Sequence, residues 1–308
     1  MIGRTDVAAA WQRIRPHVRR TPVIELPAGS FGVAAPLALK LESLQPGGSF
    51  KARGAFHKLL ASQVPAAGIV AASGGNHGVA AAYAARALGH KAEIFVPTVA
   101  SPTKVARLRS YGAIVHQIGE VYAEARAASE THAAKTGALI VPAYEDEVVF
   151  AGAGSAALEF AEQAAFDTLL VAVGGGGLIA GCAAAVGETV KIVAVETEGT
   201  PTLYEARRAG RPVDVAISGI AADALGASRI GVPNFEVAQR WVRDSILVSD
   251  DAVRAAQRAL WDELRVVAEP SGATGLAALM AGVYKPTAGE RVATLVCGAN
   301  TDPAFLSS

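Results

Sequence analysis

The stretch Gly47-Gly48-Ser49-Phe50-Lys51-Ala52-Arg53-Gly54-Ala55 sets a primary amine between an aromatic ring and a run of small residues. Taken alone, Lys51 reads as a solvated lysine at a helix start, so any stronger reading must come from elsewhere in the chain. Three other stretches offer company: Ser73-Gly74-Gly75-Asn76-His77-Gly78, Gly174-Gly175-Gly176-Gly177-Leu178 and Cys297-Gly298-Ala299-Asn300. The four-glycine run is the best candidate for holding a phosphate, because backbone approaches an oxyanion closely only where no Cβ intrudes, and a helix N-terminus adds a favourable dipole. A P-loop is excluded, since no Gly-Lys-Ser/Thr follows. A dinucleotide site stays open on this unit alone. Gly175, Gly177 and Ala180 satisfy G-x-G-x-x-A, and Glu196 stands about twenty residues on, where a ribose would be bound. In the second stretch Asn76 reads equally well as a turn residue, and His77 as a satisfied histidine near a helix start.

The elements that must position these residues alternate between short β-rich runs and longer Ala-rich helical ones. GIVAAS (68–73), AEIFVP (92–97), AIVHQI (113–118) and ALIVPA (138–143) form one strand series. TLLVAV (168–173), KIVAVE (191–196), SILVS (245–249) and RVATLVC (291–297) form a second. Alternating strand and helix predicts parallel sheets with helices on their faces, and two series suggest two domains. A helix over 102–111 shows its ends, with Ser101 as N-cap, Pro102 at the first position and Gly112 beyond the last turn. Another is capped around Ser249 and Asp250. Residues 200–237 mix Gly, Pro and polar side chains and read as irregular structure with short helices. All three glycine- or cysteine-bearing stretches follow strands, and in open parallel sheets ligands bind beyond the carboxyl ends of the strands. Residues 168–187 carry no charge over the length of a membrane span, but four central glycines predict a strand, a turn and a helix instead.

The chain has 308 residues, of which 51% are hydrophobic and 18% charged, with 28 basic against 28 acidic side chains. No net field is available to gather nucleic acid or an anionic membrane, and a small neutral or zwitterionic partner suits the balance. Two cysteines, Cys182 and Cys297, sit far apart in apolar surroundings without metal or disulfide spacing, which suits a reducing cytoplasm. The first residues carry Arg4, Asp6, Arg13 and Arg15 and show no signal-peptide core, so they read as mature protein.

Taken together, Ser49 to Ala55, Ser73 to Gly78, Gly174 to Leu178, Glu269-Pro270-Ser271-Gly272-Ala273 and Cys297 to Asn300 resemble, in order, the signature segments of the serine/threonine dehydratase family. That family belongs to the fold type II enzymes of pyridoxal 5′-phosphate (PLP) and includes serine racemase. The resemblance runs from Arg20-Thr21-Pro22 to Asn300. It implies an α/β fold like the β subunit of tryptophan synthase, with two open, mostly parallel sheets and the cofactor in the cleft between domains. The expected division is a large domain of residues 1–62 and 145–308 with a small domain of residues 63–144 inserted in it, no C-terminal regulatory domain, and a homodimer.

By this resemblance Lys51 forms the Schiff base with PLP and, once freed by substrate, removes the substrate's Cα proton. Phe50 lies against the cofactor ring, Asn76 bonds its 3′-oxygen, and Gly174, Gly175, Gly176, Gly177 and Leu178 hold the phosphate. Cys297 faces the pyridine nitrogen as a neutral thiol, which weakens the electron sink and favours loss of a β-leaving group. Ser73, Gly74, Gly75, Asn76 and His77 receive the substrate carboxylate through hydroxyl and main-chain N–H groups. The implied reaction is β-elimination of water from L-threonine, L-serine or another 3-hydroxy amino acid. Racemases of the family carry a second serine where this chain has Gly74, which argues against racemisation. Family members that bind a divalent cation near Glu196 carry a second acidic ligand where this chain has Thr202, a poor ligand for a hard cation, so no metal site is expected. Glu269 reads equally well as a helix-start carboxylate with Pro270 at the first turn and as a group near the cofactor ring, and is left outside the catalytic set.

Overall fold

A computed structural model describes residues 2–304. Its ten strands are β1 (Val23–Leu26), β2 (Leu37–Lys40), β3 (Ile69–Ala72), β4 (Ala92–Val96), β5 (Ile114–Gln117), β6 (Leu139–Ile140), β7 (Thr168–Ala172), β8 (Lys191–Thr197), β9 (Val242–Val248) and β10 (Val292–Leu295). They form a six-stranded sheet of order β1-β2-β10-β7-β8-β9 and a four-stranded sheet of order β5-β4-β3-β6. Every neighbouring pair is parallel except β1 with β2. The sequence explains this arrangement: all five residues of β7 and all four of β3 are buried, as expected of parallel strands covered on both faces.

Two apolar layers flank the larger sheet. One packs Phe150, Phe160 and the helix Gly177–Val186 against one face; the other packs Leu260, Leu276 and the helix Pro270–Met280 against the opposite face. The helices Glu147–Gln163 and Gly177–Val186 approach with only hydrogen at the contact. A Cβ on Gly181 would lie 2.2 Å from the Phe150 carbonyl oxygen, and one on Gly154 would lie 2.3 Å from that of Gly181.

The cap reading is accurate where caps are strong. The helix Pro102–Ser110 begins after Ser101, whose side chain accepts from the Lys104 N–H, and Asp250–Leu264 begins after Ser249, which accepts from Ala252. Other expectations need correction. The strand expected over 138–143 shrinks to Leu139–Ile140, because the chain leaves the sheet at Val141 and Pro142 toward the site. Residues 200–237 agree with the expectation of irregular structure with short helices: Thr202–Ala209, Ala222–Leu225 and the start of Val232–Trp241. β9 starts three positions before the expected run, and β1 and β2 were not anticipated.

This topology positions the chemistry. β10 lies between β2 and β7, with Thr294 beside Leu170, so Cys297–Asn300 and Gly174–Leu178 leave the sheet side by side. An isolated antiparallel bridge pairs Ser49 with Gly298, which fixes the segment carrying Lys51 next to both.

Candidate active site

Lys51 opens the helix Lys51–Ala61, and Phe50 occupies the cap position. The Phe50 N–H donates to the Cys297 carbonyl at 3.0 Å, tying the start of this helix to the end of β10. Lys51 Nζ stands 5.3 Å from the Phe50 ring centre and donates to the Ala143 carbonyl at 2.7 Å. Removal from water lowers its pKa from 10.5 to about 8, with Cys297 and Glu269 acting against the fall. An amine in this state is neutral in a useful fraction of molecules near neutral pH, which a nucleophile or a base requires.

What holds this helix is a buried charge network that the sequence reading missed. Arg53, wholly buried, donates from Nε and Nη2 to the two oxygens of Glu42, each at 2.7 Å, and from Nη2 to Glu159 at 3.0 Å. Lys40 pairs with Glu159 and donates to the Thr21 carbonyl at 2.7 Å, while the Thr21 hydroxyl donates to Glu42 at 2.6 Å. Lys40, Glu42, Arg53 and Glu159 are all without exposure. Two cations against two carboxylates leave the cluster neutral, and paired charges are the form in which such groups tolerate burial.

A second polar cluster joins the ends of β3 and β10. Glu269 accepts from Asn76 Nδ2 at 2.6 Å, from the Ser271 hydroxyl at 2.5 Å and from the Asn300 N–H at 3.1 Å. Asn300 Nδ2 donates to Asn76 Oδ1 and to the Gly47 carbonyl. Burial raises the Glu269 pKa against these hydrogen bonds. Of the two readings open for Glu269, it does occupy the N-cap of Pro270–Met280, but its side chain makes no capping bond and turns to Asn76 instead. Cys297 donates weakly to Ser271 at 3.5 Å, and burial pushes its thiol up to about 12, so it is neutral.

The loop after β3 opens the helix Asn76–Ala87. Ser73 Oγ accepts from the Gly75 N–H at 3.2 Å. His77 is buried, its Nε2 donates to the Val141 carbonyl at 2.8 Å, and burial together with Lys51 lowers its pKa to about 3. Its side chain is therefore a neutral, satisfied histidine.

The glycine turn after β7 is a cradle in which side chains have no place. A Cβ on Gly174 would lie 2.9 Å from the Leu225 backbone, one on Gly175 2.3 Å from the Tyr144 ring, and one on Gly176 2.9 Å from Ile230. Gly176 has φ +89° at the cap of the helix Gly177–Val186, and Leu178 is buried in its first turn. The first N–H groups of a helix lack intrahelical partners, so this turn is suited to an anion. A dinucleotide reading fails at Glu196, which is without exposure and accepts from the Leu203 and Tyr204 N–H groups at 2.8 and 2.7 Å. A ribose could not reach it. Among the described residues no group of three His, Cys, Asp or Glu side chains could hold a metal ion. The cleft between the two sheets is lined by Gly74, Gly75, Asn76, Glu269 and Asn300, with Lys104 and Asp223 paired across it.

The residues fit a phosphorylated aldehyde cofactor: an amine with lowered pKa, a side-chain-free cradle at a helix start, an amide fixed by Glu269, and a neutral thiol. Residues 14–298 match the family model of pyridoxal-phosphate dependent enzymes. The chain is 37% identical to a phenylserine dehydratase of Ralstonia pickettii over 97% of its own length and 93% of that protein's. It is also 34% identical to an L-threonine ammonia-lyase of Geobacter sulfurreducens over 100% of its own length and 78% of that protein's. Among solved structures it is similar to maize serine racemase, with 31% identity, a TM-score of 0.94 and coverage of 99% and 96% of the two chains.

Proposed function

Since the chain belongs to the pyridoxal-phosphate-dependent enzyme family, we propose that it is a dehydratase that removes water and then ammonia from a small 3-hydroxy amino acid. L-Threonine would give 2-oxobutyrate and L-serine pyruvate. The observation that carries this reading is Lys51: its amine, tuned to about 8, stands in one cleft with a neutral Cys297 and the Glu269–Asn76 pair. Bound at the glycine turn and Lys51, PLP would supply the electron withdrawal that acidifies the Cα–H bond of an amino acid.

The residues of the chain divide the remaining work. The main-chain N–H groups of Gly74, Asn76 and His77, at a helix start, receive the substrate carboxylate, while the Gly75 N–H bonds Ser73 Oγ and turns the loop. Lys51 takes the Cα proton, and the β-hydroxyl leaves with one proton as water, so the elimination leaves the proton count of the site unchanged. The released enamine tautomerises and adds water, so one amino acid yields one 2-oxo acid and one ammonia. Asn76 would present the second hydrogen of Nδ2 to the ring oxygen, with Glu269 accepting the first and Asn300 holding Oδ1. Cys297, a neutral thiol pushed up to about 12, would face the ring nitrogen without the charge of a carboxylate counter-ion, an environment that suits prompt loss of a β-leaving group.

Gly74 separates this proposal from a racemase despite the likeness to one, because glycine offers no proton on the opposite face. We also read residues 63–144, which contain the whole four-stranded sheet, as a small domain inserted in a large one, with a homodimer as the working unit. Two free cysteines, Cys182 and Cys297, support a reducing compartment such as the cytoplasm. No helix among the described residues is long and apolar enough to cross a membrane. The test is to incubate the PLP-loaded protein with L-threonine, L-serine and threo-phenylserine and measure 2-oxo acid, ammonia and D-amino acid. Equal amounts of 2-oxo acid and ammonia without D-isomer are expected. D-Serine as the main product of L-serine would overturn the assignment.

A further inference from the structure

Two fully buried polar side chains outside the cofactor pocket reach the carbonyl oxygens of the glycine turn. The Thr202 hydroxyl donates to the Gly174 carbonyl at 2.6 Å, and Asn234 Nδ2 donates to that of Gly175 at 3.0 Å, where the Gly231 N–H joins it at 3.2 Å. Both residues are without exposure. All peptide bonds here are trans, and in a trans peptide the carbonyl of one residue and the N–H of the next point in opposite directions. Holding the oxygens of Gly174 and Gly175 on one side therefore sends the N–H groups of Gly175 and Gly176 to the other.

We propose that Thr202 and Asn234 are positioning residues that aim these two N–H groups into the cradle and so set the preference for a phosphorylated cofactor. The proposal rests on the assignment of the glycine turn to the cofactor's phosphate. Four flexible glycines have no side chains to hold their own peptide planes, so the orientation must be imposed from outside. Glu196 completes the device. Its carboxyl lies 3.0 Å from Thr202 Oγ1 and receives the N–H groups of Leu203 and Tyr204, which fixes the start of the helix Thr202–Ala209 under the turn. A hydroxyl has a single proton. Thr202 has two acceptors within reach, and the Gly174 carbonyl at 2.6 Å is the nearer, with Glu196 Oε1 behind it at 3.0 Å.

The test uses two cofactor forms. Apo-protein is titrated with PLP and with pyridoxal, which lacks the phosphate, and covalent capture is followed by absorbance. Thr202→Val removes one neutral hydrogen bond and should weaken PLP about three- to tenfold while leaving pyridoxal unchanged. Thr202→Ser should restore PLP affinity to within about twofold of wild type. Asn234→Leu should give the same phosphate-selective loss, and decides the matter if Thr202→Val does not fold. Equal weakening of both cofactor forms, or wild-type affinity for PLP in both variants, overturns the proposal. A wild-type protein that captures neither form overturns the cofactor-site assignment beneath it.

Discussion

Replacing Arg53 with methionine removes the cation that balances the buried network beneath Lys51. Three bonds to Glu42 and Glu159 are lost, together with one to the Ser155 hydroxyl at 3.2 Å. Glu42 keeps only the Thr21 hydroxyl, and Glu159 keeps Lys40 and the Thr21 N–H. Two buried carboxylates then share one ammonium. Removing one partner of a buried pair costs about 3–5 kcal/mol. With an unfolding entropy of about 2.1 cal/mol/K per residue, a chain of this length should lose about 5–8 °C in melting temperature. The pH dependence gives the prediction its sign. In the wild-type protein burial raises the Glu42 pKa, but Arg53 overcomes that and leaves it below 4.5. Without Arg53 burial wins, the folded-state pKa rises above the unfolded value, and the penalty is largest above it and shrinks as pH falls through it. Thermal unfolding of apo wild type and Arg53→Met by circular dichroism at about pH 8 and about pH 5 measures this. The reasoning is refuted if the variant melts within about 1 °C of wild type at the higher pH, or if the deficit widens on acidification.

Covalent capture of PLP by the apo-protein needs the neutral Lys51 amine, so its rate should rise with pH and level off above about 8; a rise continuing toward 10.5, followed by stopped-flow absorbance, would contradict the buried amine. Glu269→Leu strands Asn76 Nδ2, the Ser271 hydroxyl and the Asn300 N–H, each worth about 1–3 kcal/mol when left unpaired. The cofactor should still bind, with kcat reduced at least about tenfold because Asn76 keeps only its bond from Asn300; unchanged kcat in steady-state assays would remove Glu269 from the site. Gly181→Ala puts a methyl group 2.2 Å from the Phe150 carbonyl and should cost about 1–3 kcal/mol in urea unfolding, against no change if the helices simply part.

How much of this could be read in the sequence follows from how local each interaction is. β7 was legible because a central parallel strand is apolar along its length, here at every position after Thr168, and Ser101 and Ser249 were legible because a cap acts within three residues. β1 and β2 were not. Each has four residues, and the turn between them contains Phe31 at φ 54°, without a glycine at that position to announce it. Lys40 closes β2 as a charge that looks solvent-facing, yet its partner Glu159 lies 119 residues away. The main contacts of Glu269 lie 193 residues back at Asn76 and 31 residues ahead at Asn300, so sequence showed only its helix-start position. Thr202 was noticed as a weak metal ligand, whereas its bond to Gly174 depends on the folding of a segment that reads as irregular. The motifs on the turns gave the site's members, and the buried acids and bases that hold those turns became visible only in three dimensions.

The most direct test of the central claim compares wild type with Lys51→Ala on L-threonine and L-serine, recording cofactor absorbance and 2-oxo acid together. The expected result is a yellow wild-type protein that releases 2-oxo acid, and a colourless variant that releases none. A Lys51→Ala protein that keeps the chromophore or forms 2-oxo acid at the wild-type rate would contradict the assignment of Lys51 as cofactor anchor and base.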